Sequence, residues 1–240
     1  MDSVIEKNIR LVKEKIKRAC VKARRREEEI SLVAVTKNVP VRQIKTAIKA
    51  GITDVGENKA QEAFDKFSQL GEKVTWHFIG HLQRNKVKQI VSFADLIQSV
   101  DSLRLAEEIN ARAGRIGKVQ NILVQVNIAE EDAKFGLRAD EVRSFLVEIS
   151  EFKNLRVKGL MTIAPFVIHA AEVHPLFVEM KSLFDEVEKA EIKGVEMKYL
   201  SMGMTNDFEI AIEAGANMVR IGTGIFGNLN LANAKEGTNG

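Results

Sequence analysis

The chain has 240 residues, of which 45% are hydrophobic, 29% charged and 6% aromatic, so it suits one large globular domain or two small ones. This composition excludes a disordered or collagen-like chain. With 36 lysines and arginines against 33 aspartates and glutamates, the formal net charge of +3 is too balanced to predict a nucleic-acid-binding protein. Cys20 is the only cysteine and cannot form a disulfide within the chain, so we expect a cytoplasmic protein stabilised by its core.

The first 29 residues predict an amphipathic N-terminal helix. Apolar residues recur there at spacings of three and four, at Ile5, Ile9, Val12, Ile16, Ala19 and Ala23. We interpret the basic residues between positions 10 and 26 as a solvated helix face, with an RNA-binding arm as the alternative. No apolar run approaches the roughly 20 residues that span a bilayer, and the charged N-terminus is unlike a signal peptide, so we expect neither membrane insertion nor export.

Eight short apolar runs follow, and segments of helical period separate them. The runs cover residues 31–37, 53–58, 75–80, 94–101, 121–128, 156–163, 197–202 and 217–222. Strands that alternate with helices predict parallel pairing through right-handed crossovers. Eight such units, in a chain near the ~250 residues of a typical (β/α)8 barrel, predict an α/β fold: a single TIM-type barrel with an extra N-terminal helix. An open doubly wound sheet is the alternative, although no G-x-G-x-x-G fingerprint follows the first strand.

The domain organisation follows from the absence of any boundary signal. No linker, low-complexity tract or shift in composition divides the chain, so we predict one barrel domain over residues 1–240. Residues 1–29 form its N-terminal helix. The small and polar residues 231–240 are expected to be a frayed end.

Polar residues close several of the predicted strands, and the carboxyl ends of the strands form the active face of such a barrel. Lys37 closes the first strand and shares the parity of Val33 and Val35, which points its side chain toward the barrel interior at the rim. Apolar neighbours at that position would lower the proton affinity of the amine and favour an imine with a carbonyl compound. A solvated rim lysine without a chemical role is the alternative.

Two turns near the end of the chain predict a phosphate site. The seventh strand ends at Ser201 in the turn SMGMTND, where Thr205 and Asn206 are candidates for the N-cap of a following helix. The eighth strand leads into Gly222 and Thr223, and glycine turns of this kind let backbone amides approach an anion. Barrels frequently bind phosphate after strands seven and eight, so these turns and the rim lysine predict a phosphorylated carbonyl ligand. Glycines that merely permit tight turns are the alternative.

The histidines do not predict a metal site. No H-E-x-x-H helix or cysteine pair is present, and His77 lies on a predicted strand while His81 lies beyond it, so the two cannot share a helix face. Ser201 does not lie in a G-x-S-x-G turn, so a Ser-His-Asp hydrolase is not predicted either. We therefore expect no metal.

Over nearly its whole length the chain resembles the pyridoxal phosphate homeostasis protein family, which is related to the barrel domain of alanine racemase. The resemblance lies in the segments AVTKNVP, VGENKAQEA, WHFIGHLQRNK, VQVNI, KFGL, GLMTI, LSMGMTNDFEIAI and VRIGTGIFG. It implies the cofactor pyridoxal 5'-phosphate (PLP), held as a Schiff base on Lys37. Small departures from the family pattern, such as Thr36 where serine is usual, remove no donor that the cofactor requires.

The resemblance also implies the other residues that contact the cofactor. Ser201, Gly222 and Thr223 would bind the phosphate, Arg220 would face the pyridine nitrogen, and Asn58 and Met161 would lie near the ring. An arginine at the pyridine nitrogen keeps the ring unprotonated and makes the cofactor a poorer electron sink than an aspartate partner would.

The family carries or buffers PLP and influences vitamin B6 balance without an established enzymatic turnover, so the resemblance implies a PLP-binding protein that is not an enzyme. Its partners would be the cofactor and, transiently, enzymes that receive PLP, with no nucleic acid and no membrane, and we expect a monomer. A PLP-dependent racemase or lyase that uses the same lysine is the alternative, for which Tyr199 is the only tyrosine available as an acid or base. A sugar-phosphate aldolase with an imine-forming lysine is a third function.

Overall fold

The computed structural model describes residues 2–131 and 135–227, which form a closed barrel of eight parallel strands, β1 to β8, in sequence order. The strands are Ser31–Val35, Asp54–Glu57, Thr75–Phe78, Leu96–Val100, Gln120–Val126, Leu155–Thr162, Val195–Ser201 and Met218–Ile221. Because β1 pairs with both β2 and β8, the sheet closes, and the open doubly wound alternative is wrong. The predicted (β/α)8 barrel is confirmed, while the predicted frayed end over residues 231–240 lies outside the described residues.

Helices connect the strands and cover the outside of the barrel. They are α1 Asp2–Lys22, α2 Val41–Lys49, α3 Ala60–Leu70, α4 Val87–Val91, α5 Leu103–Arg115, α6 Val142–Ile149, α7 His174–Lys189, α8 Phe208–Glu213 and α9 Thr223–Phe226. Short 3-10 turns cover Glu27–Glu29, Gly71–Lys73, Arg84–Lys86, Ala139–Glu141 and Ala170–Val173. Within the two described ranges, no helix combines the length and the apolar composition needed to cross a bilayer.

The apolar core has two parts. A small cluster fills the inside of the barrel and consists of Val33, Leu96, Leu123, Met161 and Met218. The larger part lies between the outer face of the strands and the helices. Because side chains alternate along a strand, Val33 and Val35 share the interior side of β1, and Lys37 follows them where the chain turns at the rim.

The N-terminal helix is shorter than the sequence predicts. It ends at Lys22, and the rest of the predicted segment turns into the 3-10 stretch Glu27–Glu29. Arg24 adopts the left-handed conformation with φ 55°, and the amide of Arg25 donates to the carbonyl of Cys20 over 2.9 Å, which is a Schellman-type helix end. Such an end usually carries glycine, so an arginine at this position gave no signal in the sequence.

The helix α1 covers the side of the barrel where β8 meets the start of the chain. Among the described residues only the short helix α9 follows β8, and α1 packs on α8 and α9 to cover that side of the barrel. The predicted apolar face is confirmed at Ile5, Ile9, Val12, Ile16 and Ala19, which are buried, whereas Ala23 lies beyond the helix and is half-buried. From the same face Asn8 donates from Nδ2 to the carbonyl oxygens of Ile225 at 2.9 Å and Gly227 at 3.1 Å. The N-terminal helix thereby holds the short helix that begins beside Gly222.

We predict that Asn8→Ala destabilises the protein by about 1 to 2 kcal/mol, because the carbonyl of Ile225 would be left buried without its donor. Lys7→Ala, on the exposed face of the same helix, is the matched control and should change stability by less than about 0.5 kcal/mol. Urea denaturation of both variants measures the difference. Equal stabilities would contradict the role given to Asn8.

Candidate functional site

Lys37 lies at the rim of the barrel, two residues beyond the end of β1. Its side chain is exposed, and its ammonium group has no hydrogen-bond or ion-pair partner among the described residues. The backbone around it is fixed: the amide of Thr36 donates to the carbonyl of Gly56 over 2.9 Å, and Asn38 adopts a left-handed φ of 59°. A sharply turned backbone therefore carries an unpaired amine at the position that the sequence predicts.

A buried group of charged side chains holds the backbone on both sides of this lysine. Lys66 on α3 donates to the carbonyl of Thr36 at 2.6 Å, to Glu57 Oε1 at 2.8 Å and to Glu62 Oε1 at 2.7 Å. Glu62 Oε1 also accepts the amide of Asn38 at 2.6 Å. We call these five residues the Lys66 cluster. It ties both peptide neighbours of the rim lysine to α3.

The centre of the Lys66 cluster, at Lys66 and Glu57, lies out of water. The side chain of Lys66 is 7% exposed and that of Glu57 is 0% exposed. Burial raises the pKa of Glu57, and hydrogen bonds from Lys66 and Thr36 offset this rise only in part. Burial opposes ionisation of Glu62 as well, but hydrogen bonds from Lys66 and the Asn38 amide lower its pKa overall. All three ammonium protons have acceptors, so Lys66 is committed to holding the loop.

The sequence prediction missed Lys66 and Glu62. They lie four residues apart on a helix, a spacing that permits an ion pair but does not say whether the pair is buried. The parity of Glu57 along β2 matches that of Val55, which faces the helices, and this places its carboxylate toward α3. A strand-parity argument extended to β2 could have found this contact.

Arg220 projects from β8 into the barrel and is 3% exposed. Its Nη1 donates to Ser201 Oγ over 2.6 Å, and its Nη2 donates to the carbonyl of Thr162 over 2.7 Å. Burial lowers the pKa of the Arg220 guanidinium to about 10, against the opposing effect of the Asp207 carboxylate. The group therefore stays protonated at neutral pH and provides a fixed donor beneath the barrel mouth.

Ser201 is fully buried, and its hydroxyl group is already engaged. It accepts from Arg220 and donates to Gln98 Oε1 over 2.7 Å. A side-chain hydrogen bond from Ser201 to a phosphate would require this proton to turn away from Gln98. The structure thus brings Ser201 next to Arg220, while its hydroxyl proton points to the barrel interior.

The turn after β7 differs from the prediction. The helix α8 begins at Phe208, and its N-cap residue is Asp207, so the predicted N-caps at Thr205 and Asn206 are wrong. Asp207 Oδ1 accepts the amide of Met204 over 2.5 Å, which closes the turn before the helix starts. A buried carboxylate at this helix start disfavours an anion there.

The turn after β8 is open. Gly222 is the N-cap residue of α9, and its carbonyl accepts the amides of Ile225 and Phe226, each at 3.0 Å. A Cβ atom at Gly222 would meet nothing closer than the Cβ of Val35 at 3.5 Å, so space lies above it. Thr205 joins the two turns, because its Oγ1 accepts the amide of Gly224 and lies 3.2 Å from Thr223 Oγ1. Because the amides of Gly224, Ile225 and Phe226 already have acceptors, the Thr223 amide and hydroxyl are the groups of α9 suited to an anion.

Asn58 and Met161 lie at different depths. Asn58 follows β2 at the rim, and its Oδ1 is buried without a hydrogen-bond donor among the described residues. A cavity of about 300 Å³ lies beside it and is lined also by Lys59 and His81. Met161 is fully buried in the apolar cluster inside the barrel. An unpaired buried acceptor costs stability unless a ligand or water supplies the donor, so Asn58 indicates a binding position.

Metal-ligating side chains do not gather in the part of the chain that the structure describes. No group of three or more histidine, cysteine, aspartate or glutamate side chains there is arranged to hold a metal ion.

Comparison with known proteins first identifies the class of barrel. The family model described as "Alanine racemase, N-terminal domain" matches residues 4–230. An alanine racemase from Clostridium difficile superposes with a TM-score of 0.76 over 94% of this chain and 57% of its own. At 16% identity this likeness shows the fold alone.

Closer relatives identify the family. A protein of Aquifex aeolicus named "Pyridoxal phosphate homeostasis protein" is 40% identical over 217 residues, covering 90% of this chain and 94% of its own. The Escherichia coli (strain K12) protein of the same name is 37% identical and covers 93% and 96%. The chain therefore belongs to the pyridoxal phosphate homeostasis protein family.

Two solved structures agree with this assignment. A protein described as unknown from Bifidobacterium adolescentis superposes with a TM-score of 0.90 at 31% identity, covering 94% of this chain and 95% of its own. PipY of Synechococcus elongatus, solved with PLP bound, superposes with a TM-score of 0.77 at 35% identity and covers 83% and 93%.

For the Lys66 cluster we predict that Lys66→Met destabilises the protein by about 3 to 5 kcal/mol, because it leaves Glu57 as a buried carboxylate without its cation. Lys73→Met, on an exposed position after α3, is the matched control and should cost less than about 0.5 kcal/mol. Chemical denaturation measures both. A cost for Lys66→Met no larger than the control's would show that the cluster does not hold the loop.

Proposed function

We propose that this chain binds PLP covalently through Lys37 and serves as a reversible store of the cofactor, without efficient turnover of a substrate. In this proposal it acts as a cytoplasmic monomer and passes PLP to enzymes that require it. The observation that carries the proposal is the adjacency of two strand ends. Lys37 follows β1, Gly222 follows β8, these strands pair directly, and Val35 on β1 is the nearest side chain to Gly222.

The rim lysine supplies the covalent bond. Lys37 would hold the aldehyde carbon of PLP through a carbon–nitrogen double bond to Nζ, whose formation releases one water molecule. When bound, PLP supplies an electrophilic aldehyde and a pyridine ring that can accept electrons. Because Lys37 has no ionic partner among the described residues, no ion pair has to break before the amine reacts.

The phosphate would be bound mostly by neutral donors. The amide and the hydroxyl of Thr223 at the start of α9 lie at the strand end next to Lys37. The sequences SMGMTND and IGTGIFG contain no lysine or arginine, so side-chain charge is not the main source of this binding. Asn58 Oδ1, which lacks a donor among the described residues, fits a ligand that carries a hydroxyl group on its ring, as PLP does.

In the proposed complex a protonated Arg220 beneath the mouth of the barrel faces an unprotonated pyridine nitrogen. Two observations support storage over catalysis. Tyr199, the acid or base that a racemase would use, packs against the apolar cluster inside the barrel. Lys37 itself is exposed, so solvent reaches the position where a substrate proton would be removed.

The covalent bond is tested by reductive trapping. We expect Lys37→Ala to lose the near-visible imine absorption of PLP while the melting temperature stays near that of the wild type, because an exposed rim lysine contributes little to the core. Lys45→Ala, an exposed lysine on α2, is the matched control and should keep the absorption. Borohydride reduction and peptide mapping of the wild type then identify the modified residue. A label on another lysine would refute the assignment.

The phosphate contact is tested with two ligands that differ only in the phosphate group. We expect Thr223→Val to weaken PLP binding by one hydrogen bond to a charged group, about 1.5 to 3 kcal/mol or one to two orders of magnitude in Kd. Binding of pyridoxal, which lacks the phosphate, should be unchanged. Titrations of both ligands on both proteins measure the difference. An equal loss for pyridoxal would place the effect elsewhere than at the phosphate.

A further inference from the structure

A row of polar side chains inside the barrel leads away from two of the predicted cofactor contacts. Arg220 Nη1 donates to Ser201 Oγ at 2.6 Å, and Ser201 Oγ donates to Gln98 Oε1 at 2.7 Å. Gln98 Nε2 lies 2.9 Å from His77 Nδ1, and His77 Nε2 lies 3.0 Å from Asp54 Oδ1. We call these five residues the interior row. It crosses the barrel from β8 through β7, β4 and β3 to β2.

The direction of every hydrogen bond in the interior row follows from its arginine end. A guanidinium group only donates, so Ser201 Oγ accepts from it and turns its single proton to the oxygen of Gln98. The amide nitrogen of Gln98 then faces His77 Nδ1, which must accept, so the imidazole proton lies on Nε2 and points to Asp54. Burial opposes ionisation of Asp54, but the hydrogen bond from His77 lowers its pKa, and the carboxylate ends the row as an acceptor.

We propose that Gln98 is a positioning residue for the bound cofactor, because by fixing the Ser201 hydroxyl it fixes the direction in which Arg220 donates. The inference rests on the proposed function, in which Arg220 faces the pyridine nitrogen. Gln98 is fully buried on β4 and acts through Ser201. Sequence analysis gave it no role, because a glutamine on a predicted strand carries no motif.

Gln98 is held from its far side by His77. Its amide group also donates to Met218 Sδ over 3.2 Å, so both amide protons have acceptors. If the amide were reversed, its oxygen would face the unprotonated Nδ1 of His77, and the Ser201 hydroxyl would lose its acceptor. The oxygen of a reversed amide would find a donor at Nδ1 only if the imidazole carried a proton on each ring nitrogen. A neutral His77 therefore locks Gln98, and Gln98 in turn orients Ser201.

The interior row affects a bound ligand through the orientation of the Arg220 guanidinium. Nη1 and Nη2 each commit an N–H group, to Ser201 and to the carbonyl of Thr162, so the barrel rather than the ligand sets the plane of the guanidinium. A donor that is oriented before binding loses little freedom when the ligand arrives. Such a donor fits an acceptor nitrogen and not a protonated pyridinium. Gln98 thus supports the unprotonated state of the pyridine ring.

The first test determines the tautomer of His77 in the absence of any cofactor. The four histidines are few enough to resolve by 15N-histidine NMR of the chain free of PLP, and His77→Gln assigns the His77 signals. We expect the neutral tautomer with the proton on Nε2 at neutral pH. A proton on Nδ1, or a doubly protonated ring, would overturn the assignment of Gln98. This result does not depend on whether PLP binds, so it separates the inference from the proposed function.

The second test measures PLP affinity. Gln98→Leu removes the acceptor for Ser201 and should weaken binding about ten- to a hundredfold. Gln120→Leu is the matched control, because Gln120 is an equally buried glutamine at the start of β5 that donates to Ala94 and Asp95 carbonyls. It should lower the melting temperature and leave the affinity unchanged.

The outcomes separate a positioning role from a structural one. Wild-type affinity in Gln98→Leu, or a loss that Gln120→Leu shares in proportion to its loss of stability, would overturn the proposal. If Gln98→Leu does not fold, Gln98→Asn takes its place, since the shortened amide cannot reach Ser201 and should show the same weakened binding. A wild type that binds no PLP would refute the proposed function, while the tautomer of His77 would still decide the direction of the row.

Discussion

The guanidinium group of Arg220 lies inside a closed barrel, where a charge is stable only if fixed acceptors replace water. The carbonyl of Thr162 and the hydroxyl of Ser201 are two such acceptors, and the nearby charge of Asp207 favours the protonated guanidinium. Satisfying this one group determines the direction of the Ser201 proton and, through Gln98, the tautomer of His77 on the other side of the barrel. The polar interior of the barrel is therefore organised by a single buried cation.

A second buried cation organises the rim. Lys66 donates hydrogen bonds to Thr36, Glu57 and Glu62, and these bonds hold the loop that carries Lys37. Lys37 itself has no ionic partner among the described residues. This contrast supports the role proposed for Lys37, because a lysine that is buried and paired on every side is unavailable for chemistry, while an exposed one on a fixed backbone can react with an aldehyde.

The periodicity of apolar residues predicted the strands and the buried faces of the fold. The eight strands, the interior parity of Val33 and the buried face of α1 all follow from spacings of two or of three and four residues. Local chemistry was predicted less well: α1 ends just before an arginine in the left-handed conformation, and Asp207, rather than Thr205 or Asn206, occupies the N-cap position of α8. Both depend on backbone dihedral angles that tertiary contacts impose. Gln98 and Lys66 escaped prediction because their partners are distant in sequence and share no motif.

The family assignment and the geometry both direct attention to the adjacent ends of β1 and β8. Membership of the pyridoxal phosphate homeostasis protein family explains why a racemase-like barrel presents a lysine at one strand end and an open glycine turn at the next. The most direct test of this proposal is a crystal structure of the chain grown with PLP. It should show continuous density from Lys37 Nζ to the cofactor, the phosphate within hydrogen-bonding distance of Thr223, and the pyridine nitrogen facing Arg220. Density that joins the cofactor to another lysine, or a phosphate remote from the turn after β8, would contradict it.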